Sequence, residues 1–124
     1  MADGASHMEL LVCVINREEM LDGILSGFLD LGVTGATVIR SEGMGRIVSQ
    51  GIPVIAGLKE LRSRSRPHNT TIFSVVDSKQ KADAAVAMIE AKLGDLEDPG
   101  TGIVFTVPVT RVAGLAQELG AGGE

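Results

Sequence analysis

Gly43-Met44-Gly45-Arg46 and Gly100-Thr101-Gly102 are the segments of this sequence with most capacity for chemistry. Glycine has no Cβ and tolerates positive φ, so such stretches let backbone amides approach an anion closely. Taken singly, each reads as a turn. Placed together, one at the base of a long loop and the other just before the last strand, they point to a shared cleft. A second feature is basic: Arg40, Arg46, Lys59, Arg62, Arg64 and Arg66 make six of the chain's 11 Lys and Arg residues. Arg62, Arg64 and Arg66 suit contact with phosphate, carboxylate or an acidic partner surface, because guanidinium pairs well with all three. The alternative is a solvated, flexible Arg/Ser stretch. Pro53 can start a short helix in this region, with Val54, Leu58 and Leu61 on one face.

The remaining reactive side chains do not assemble a catalyst. His68 stands beside Pro67 with no second natural histidine, so no metal site is expected. The single cysteine, Cys13, lies among aliphatic residues and reads as a small buried side chain. It excludes a disulfide framework and any multi-cysteine zinc or iron–sulfur centre, and it favours an intracellular, cytoplasmic setting. Asp95, Glu97 and Asp98 form a solvated acidic turn. No Ser/His/Asp or Cys/His pairing is present, and no enzyme is expected. A net charge of −5 with no Trp, no Tyr and three Phe argues against nucleic-acid binding, since Phe73 and Phe105 alone make a poor stacking surface.

Elements must position these groups, and 124 residues with 44% hydrophobic content suffice for one soluble domain. The longest apolar run, residues 10–15, is too short to span a bilayer, so no membrane insertion is expected. Residues 1–7 read as an expression-tag remnant, 8–119 as the domain, and the glycine-rich 120–124 as a flexible tail. Residues 10–15 form a β-branched run suited to a buried strand. Asn16 with Glu19 makes a capping box for a helix whose stripe runs Met20, Leu21, Ile24, Leu25, Phe28, Leu29 and which stops at Gly32. Strands follow at 36–40 and 71–76; the first ends in the loop 41–46, and the second begins only some twenty-five residues after that loop, an unusually long gap. Asp77 with Gln80 caps a second helix, striped by Ala82, Ala85, Val86, Ile89 and Leu93 and stopped by Gly94; residues 103–107 form the last strand.

The order βαββαβ gives an α+β, ferredoxin-like two-layer sandwich, with both helices on one face of a four-stranded sheet. The other face is bare in a single copy. Yet the first, third and last strands carry apolar residues at nearly successive positions, where a half-solvated sheet would alternate. The bare face is therefore expected to pack against other subunits.

Gly35-Ala36-Thr37-Val38-Ile39-Arg40-Ser41-Glu42-Gly43-Met44-Gly45-Arg46 resembles the second strand and loop base of PII, the trimeric signal-transduction proteins of nitrogen and carbon metabolism. Gly100-Thr101-Gly102-Ile103-Val104-Phe105-Thr106-Val107-Pro108-Val109 is similar to the PII B-loop and last strand, typically G-D-G-K-I-F-V-x-P-V. The resemblance spans about residues 8–112. It implies a homotrimer with adenine-nucleotide clefts between subunits, and a long partner-binding T-loop at 42–69. By position it places Thr37, Gly43, Met44, Gly45, Arg46, Gly100, Thr101, Gly102 and Ile103 in the cleft, and Lys59, Arg62, Arg64 and Arg66 in the partner loop.

Several departures accompany the match. Ile103 stands where PII has a phosphate-binding lysine, and Ile47 where it has the glutamine that helps hold Mg-ATP and 2-oxoglutarate. There is no tyrosine to modify, and Arg111 is the only basic residue after Lys92. The resemblance thus implies a divergent PII-like sensor of AMP, ADP, ATP or a related metabolite, acting on a partner protein such as a transporter or metabolic enzyme. The alternative is a trimeric scaffold that has lost its ligand.

Overall fold

The computed structural model describes residues 8–44, 68–94, 96 and 101–115. The elements are β1 (Glu9–Ile15), α1 (Leu21–Asp30), β2 (Thr37–Ser41), β3 (Asn69–Val76), α2 (Lys79–Leu93) and β4 (Gly102–Pro108). They fold as the expected βαββαβ sandwich. The sheet order is β2-β3-β1-β4, with every neighbouring pair antiparallel.

Residue periodicity explains the layers. In β3, Thr70, Ile72, Ser74 and Val76 are buried while their neighbours are half-buried, the period-two signature of a strand with one covered face. Leu11, Cys13 and Ile15 of β1 lie fully buried on that same face. Against them pack Ile24 and Phe28 of α1, and Ala82, Ala85, Ile89 and Leu93 of α2. Full burial of one such large aliphatic or aromatic side chain contributes about 1.5–3 kcal/mol, so this layer supplies most of the stability.

Helix ends follow local chemistry, with two differences from the sequence reading. The chain enters α1 through a 3-10 turn at Glu18–Met20, whose capping position is Arg17, one residue beyond Asn16, and carries no side-chain cap bond. The two acidic residues of that turn, Glu18 and Glu19, suit the positive end of a helix. On α2 the cap is Ser78, one residue beyond Asp77, and its hydroxyl accepts from the Lys81 amide at 3.1 Å. Serine's short side chain reaches that amide, while Asp77 pairs with Lys81 Nζ at 3.3 Å. Both helices stop where expected. Gly32 at φ 85° sits between the Val33 N–H to Phe28 bond and the Gly32 N–H to Leu29 bond, a Schellman closure, and Gly94 at φ 86° ends α2.

Among the described residues, no helix or strand covers the second sheet face. Register places Leu10, Val12 and Val14 of β1 there, flanked by Val75, Phe73 and Thr71 of β3 and by Val107, Phe105 and Ile103 of β4. Thr37 continues the Phe73 row and Ile39 the Thr71 row on β2. Ile103 is 53% exposed, Phe105 44% and Ile39 42%. The apolar outer face read from the sequence is present.

Candidate functional site

The ends of β2 and β1 and the starts of β3 and β4 all lie at one end of the sheet. Here β2 leads into the long segment and β3 leads out of it. Thr37 lies on the bare face, opposite Phe73. Gly43 and Met44 follow β2, with Met44 largely exposed. Thr101 precedes β4, Gly102 opens it, and Ile103 faces outward opposite Val14.

Sheet order decides which of these meet. β2 and β4 are the two outer strands, so three strand spacings, or about 14 Å, separate Gly43 from Gly102 within one chain. Both groups lie at the same end of the sheet, but at opposite edges. Strand order alone does not bring the two groups together within one chain. Gly45, Arg46, Gly100 and the partner-loop residues Lys59, Arg62, Arg64 and Arg66 lie outside the described residues, as do the Pro53 helix and Asp95, Glu97 and Asp98.

Gly102 has a local reason to be glycine. Its φ is 146°, and a Cβ there would lie 2.5 Å from the Val14 carbonyl oxygen. Gly43 is less constrained, since its Cβ would come only to 3.4 Å from Asn69 Nδ2. Beside it, Ser41 Oγ donates to Asn69 Oδ1, which makes Thr71 the donor in the 2.8 Å bond between the two hydroxyls. These three residues tie the end of β2 to the start of β3 on the bare face.

Sequence reasoning missed a second feature at this end, on the helix side. Arg40, Thr70 and Ile15 stand directly opposite one another across β2, β3 and β1. With Asn16, Glu18, His68 and Asn69 they line a cleft of about 70 Å3. Arg40 Nη1 donates to Glu18 Oε2 at 2.7 Å. No spacing rule could have joined Glu18, Arg40 and His68, because they lie in the turn before α1, on β2 and just ahead of β3, and only the folded chain brings them together. His68 is thus a cleft residue, and among the described residues no group of three or more His, Cys, Asp or Glu could hold a metal. Cys13 is buried, and desolvation pushes its thiol up to about 11, so it stays neutral.

Comparison with known proteins adds to this geometry. The family described as "Nitrogen regulatory protein P-II" matches residues 8–118. No curated relative matches by sequence. Among solved structures, the PII protein of Arabidopsis thaliana bound to citrate is similar at 19% identity and a TM-score of 0.58, covering 85% of this chain and 79% of that one. A putative PII-like signaling protein from Thermus thermophilus is similar at 17% identity and a TM-score of 0.53, covering 82% of this chain and 86% of that one.

Proposed function

We propose, because this chain belongs to the nitrogen regulatory protein P-II family, that it forms a homotrimer, binds an adenine nucleotide or related small metabolite between subunits, and regulates a partner protein through residues 42–69. Members of that family are regulatory signalling proteins and not enzymes. No helix among the described residues is long and apolar enough to cross a membrane. A cytoplasmic setting, with a transporter or metabolic enzyme as partner, completes the proposal.

One observation supports the ligand reading: Gly43 and Met44 stand at one sheet edge and Thr101, Gly102 and Ile103 at the other, both at the same end of the sheet, where packing of a second copy would complete a cleft. Thr37, Gly45, Arg46 and Gly100 join it by their place in the family pattern. In mechanism, the ligand binds one state of the long segment better than another and shifts its population, and the partner reads the change.

A thermal-shift screen with AMP, ADP and ATP tests this. A ligand held at about 100 times its Kd adds roughly 2.7 kcal/mol of stability. Upward shifts that disappear in a variant lacking the Gly43 and Arg46 side of the cleft support the reading. A trimer whose melting ignores every nucleotide overturns it in favour of the ligand-free scaffold, a reading that Ile103 favours by placing an aliphatic side chain where the family pattern has a cation.

A further inference from the structure

We propose that the polar cleft on the helix side of the sheet, where β2 ends and β3 begins, is a binding site for a small oxyanion, a carboxylate or phosphate group held by Arg40, His68 and Thr70. The proposal does not depend on the nucleotide cleft, which uses the opposite sheet face and needs a second copy. This site lies within one chain.

The buried hydroxyl of Thr70 is its foundation. Only Thr70 and Ser74 are buried polar residues among those described, at 4% and 3% exposure. Ser74 Oγ is satisfied, donating to the Gly35 carbonyl at 2.6 Å. The Thr70 side chain has no hydrogen-bond partner among the described residues, although it lines the cleft. Buried polar groups are nearly always hydrogen-bonded, so an unmatched hydroxyl facing a cavity marks a place for something that can bond it.

The rest of the lining says what that something is. Residues with donor-bearing side chains dominate: Arg40, His68 and Thr70 line the same space. The ion pair with Glu18 engages Nη1 alone of a guanidinium that carries five N–H groups in a planar fork, and such a fork recognises carboxylate and phosphate. Glu18 is the only acidic group in the lining, and it competes with any anion for Arg40. A volume of about 70 Å3 corresponds to roughly five water-sized positions, which matches the four or five heavy atoms of acetate or phosphate. Since Arg40 is on β2 and His68 leads into β3, an oxyanion here would bridge the two strands that carry the long segment.

NMR titration of the full chain tests the site, with sodium phosphate and sodium acetate in separate arms and sodium chloride matched for ionic strength. Saturable amide shifts confined to Glu18, Arg40 and His68 to Thr70 are expected, at millimolar Kd, in one arm or both; the responding arm identifies phosphate or carboxylate as the source. Glu18→Gln removes the competitor and should tighten binding by about threefold or more, an effect that a merely structural ion pair would not give. Arg40→Gln should weaken binding by about tenfold or more. Thr70→Val, nearly isosteric, should also weaken it with the fold intact by circular dichroism. If Thr70→Val fails to fold, the exposed Glu18 and Arg40 variants still decide. Shifts no larger than those with chloride, or equal affinity in wild type, Glu18→Gln and Arg40→Gln, overturn the proposal.

Discussion

At Gly102 a single methyl group is felt directly. An alanine Cβ would press to 2.5 Å against a backbone oxygen that cannot swing away, at a φ of 146° that side chains avoid. Gly102→Ala should therefore cost about 2 kcal/mol or more, read as a lower urea midpoint. Gly43→Ala, with 3.4 Å to a side-chain amide that can give, should change stability little. A lost ligand response in the Gly43 variant would thus report on the cleft, whereas in the Gly102 variant it would be mixed with strain. Cys13 gives a second residue-scale expectation. Its folded pKa of about 11 lies above the ordinary thiol value of 9.0, so the fold favours the neutral thiol. That contribution is fully present below pH 9, and is lost as pH rises toward 11 because the unfolded chain ionises first. The stability difference between wild type and Cys13→Val should shift by about 2–3 kcal/mol across that window, followed by urea unfolding at stepped pH.

At the scale of elements, α1 and α2 come together where Gly27 meets Met88. A Cβ on Gly27 would lie 2.6 Å from the Met88 sulfur, but the obstacle is the far end of a flexible side chain. Alanine also gains up to about 1 kcal/mol of helix propensity over glycine. Gly27→Ala should stay within about 1 kcal/mol of wild type, while Gly27→Leu, which no rotamer of Met88 can clear, should lose about 2 kcal/mol or more in chemical denaturation. This contact also shows where sequence reading reaches its limit. The helical stripes through Ile24 and Phe28 and through Ala82, Ala85, Ile89 and Leu93 were legible because one packing face imposes a period. The stops at Gly32 and Gly94 were legible because positive φ selects glycine. The caps were not, since Asp77 and Ser78 are both good cap types and only backbone geometry chooses between them. Nor was the cleft at Arg40, because Glu18, Arg40 and His68 come from separate segments that only the tertiary fold brings together, which no single segment encodes.

For the whole molecule, the unsettled free energy lies on the bare sheet face. Phe73, Val12 and Phe105 form one row across three strands, and Val12, between the two phenylalanines in register, is only 8% exposed. The covering is uneven. Val12 at the centre is shielded, while Ile103, Phe105 and Val107 on the outer strand stay 53%, 44% and 42% exposed. A face that is apolar in the middle and uncovered at one edge is what an assembly around that edge would complete. Sedimentation velocity at micromolar concentration should accordingly find the wild type as a trimer. Phe105→Glu should turn it into a monomer, because each subunit would bring an unpaired carboxylate into an apolar contact, at about 4 kcal/mol or roughly a thousandfold in association. The same glutamate is solvated in the separated subunit, so its circular dichroism should match wild type. The helix-side core, centred on Leu11, Ile15, Ile24, Phe28, Ile72 and Ile89, is untouched by the change. A wild type that sediments as one subunit would leave Gly43 and Gly102 on separate edges with nothing to bring them together, and the nucleotide cleft would have no means of forming.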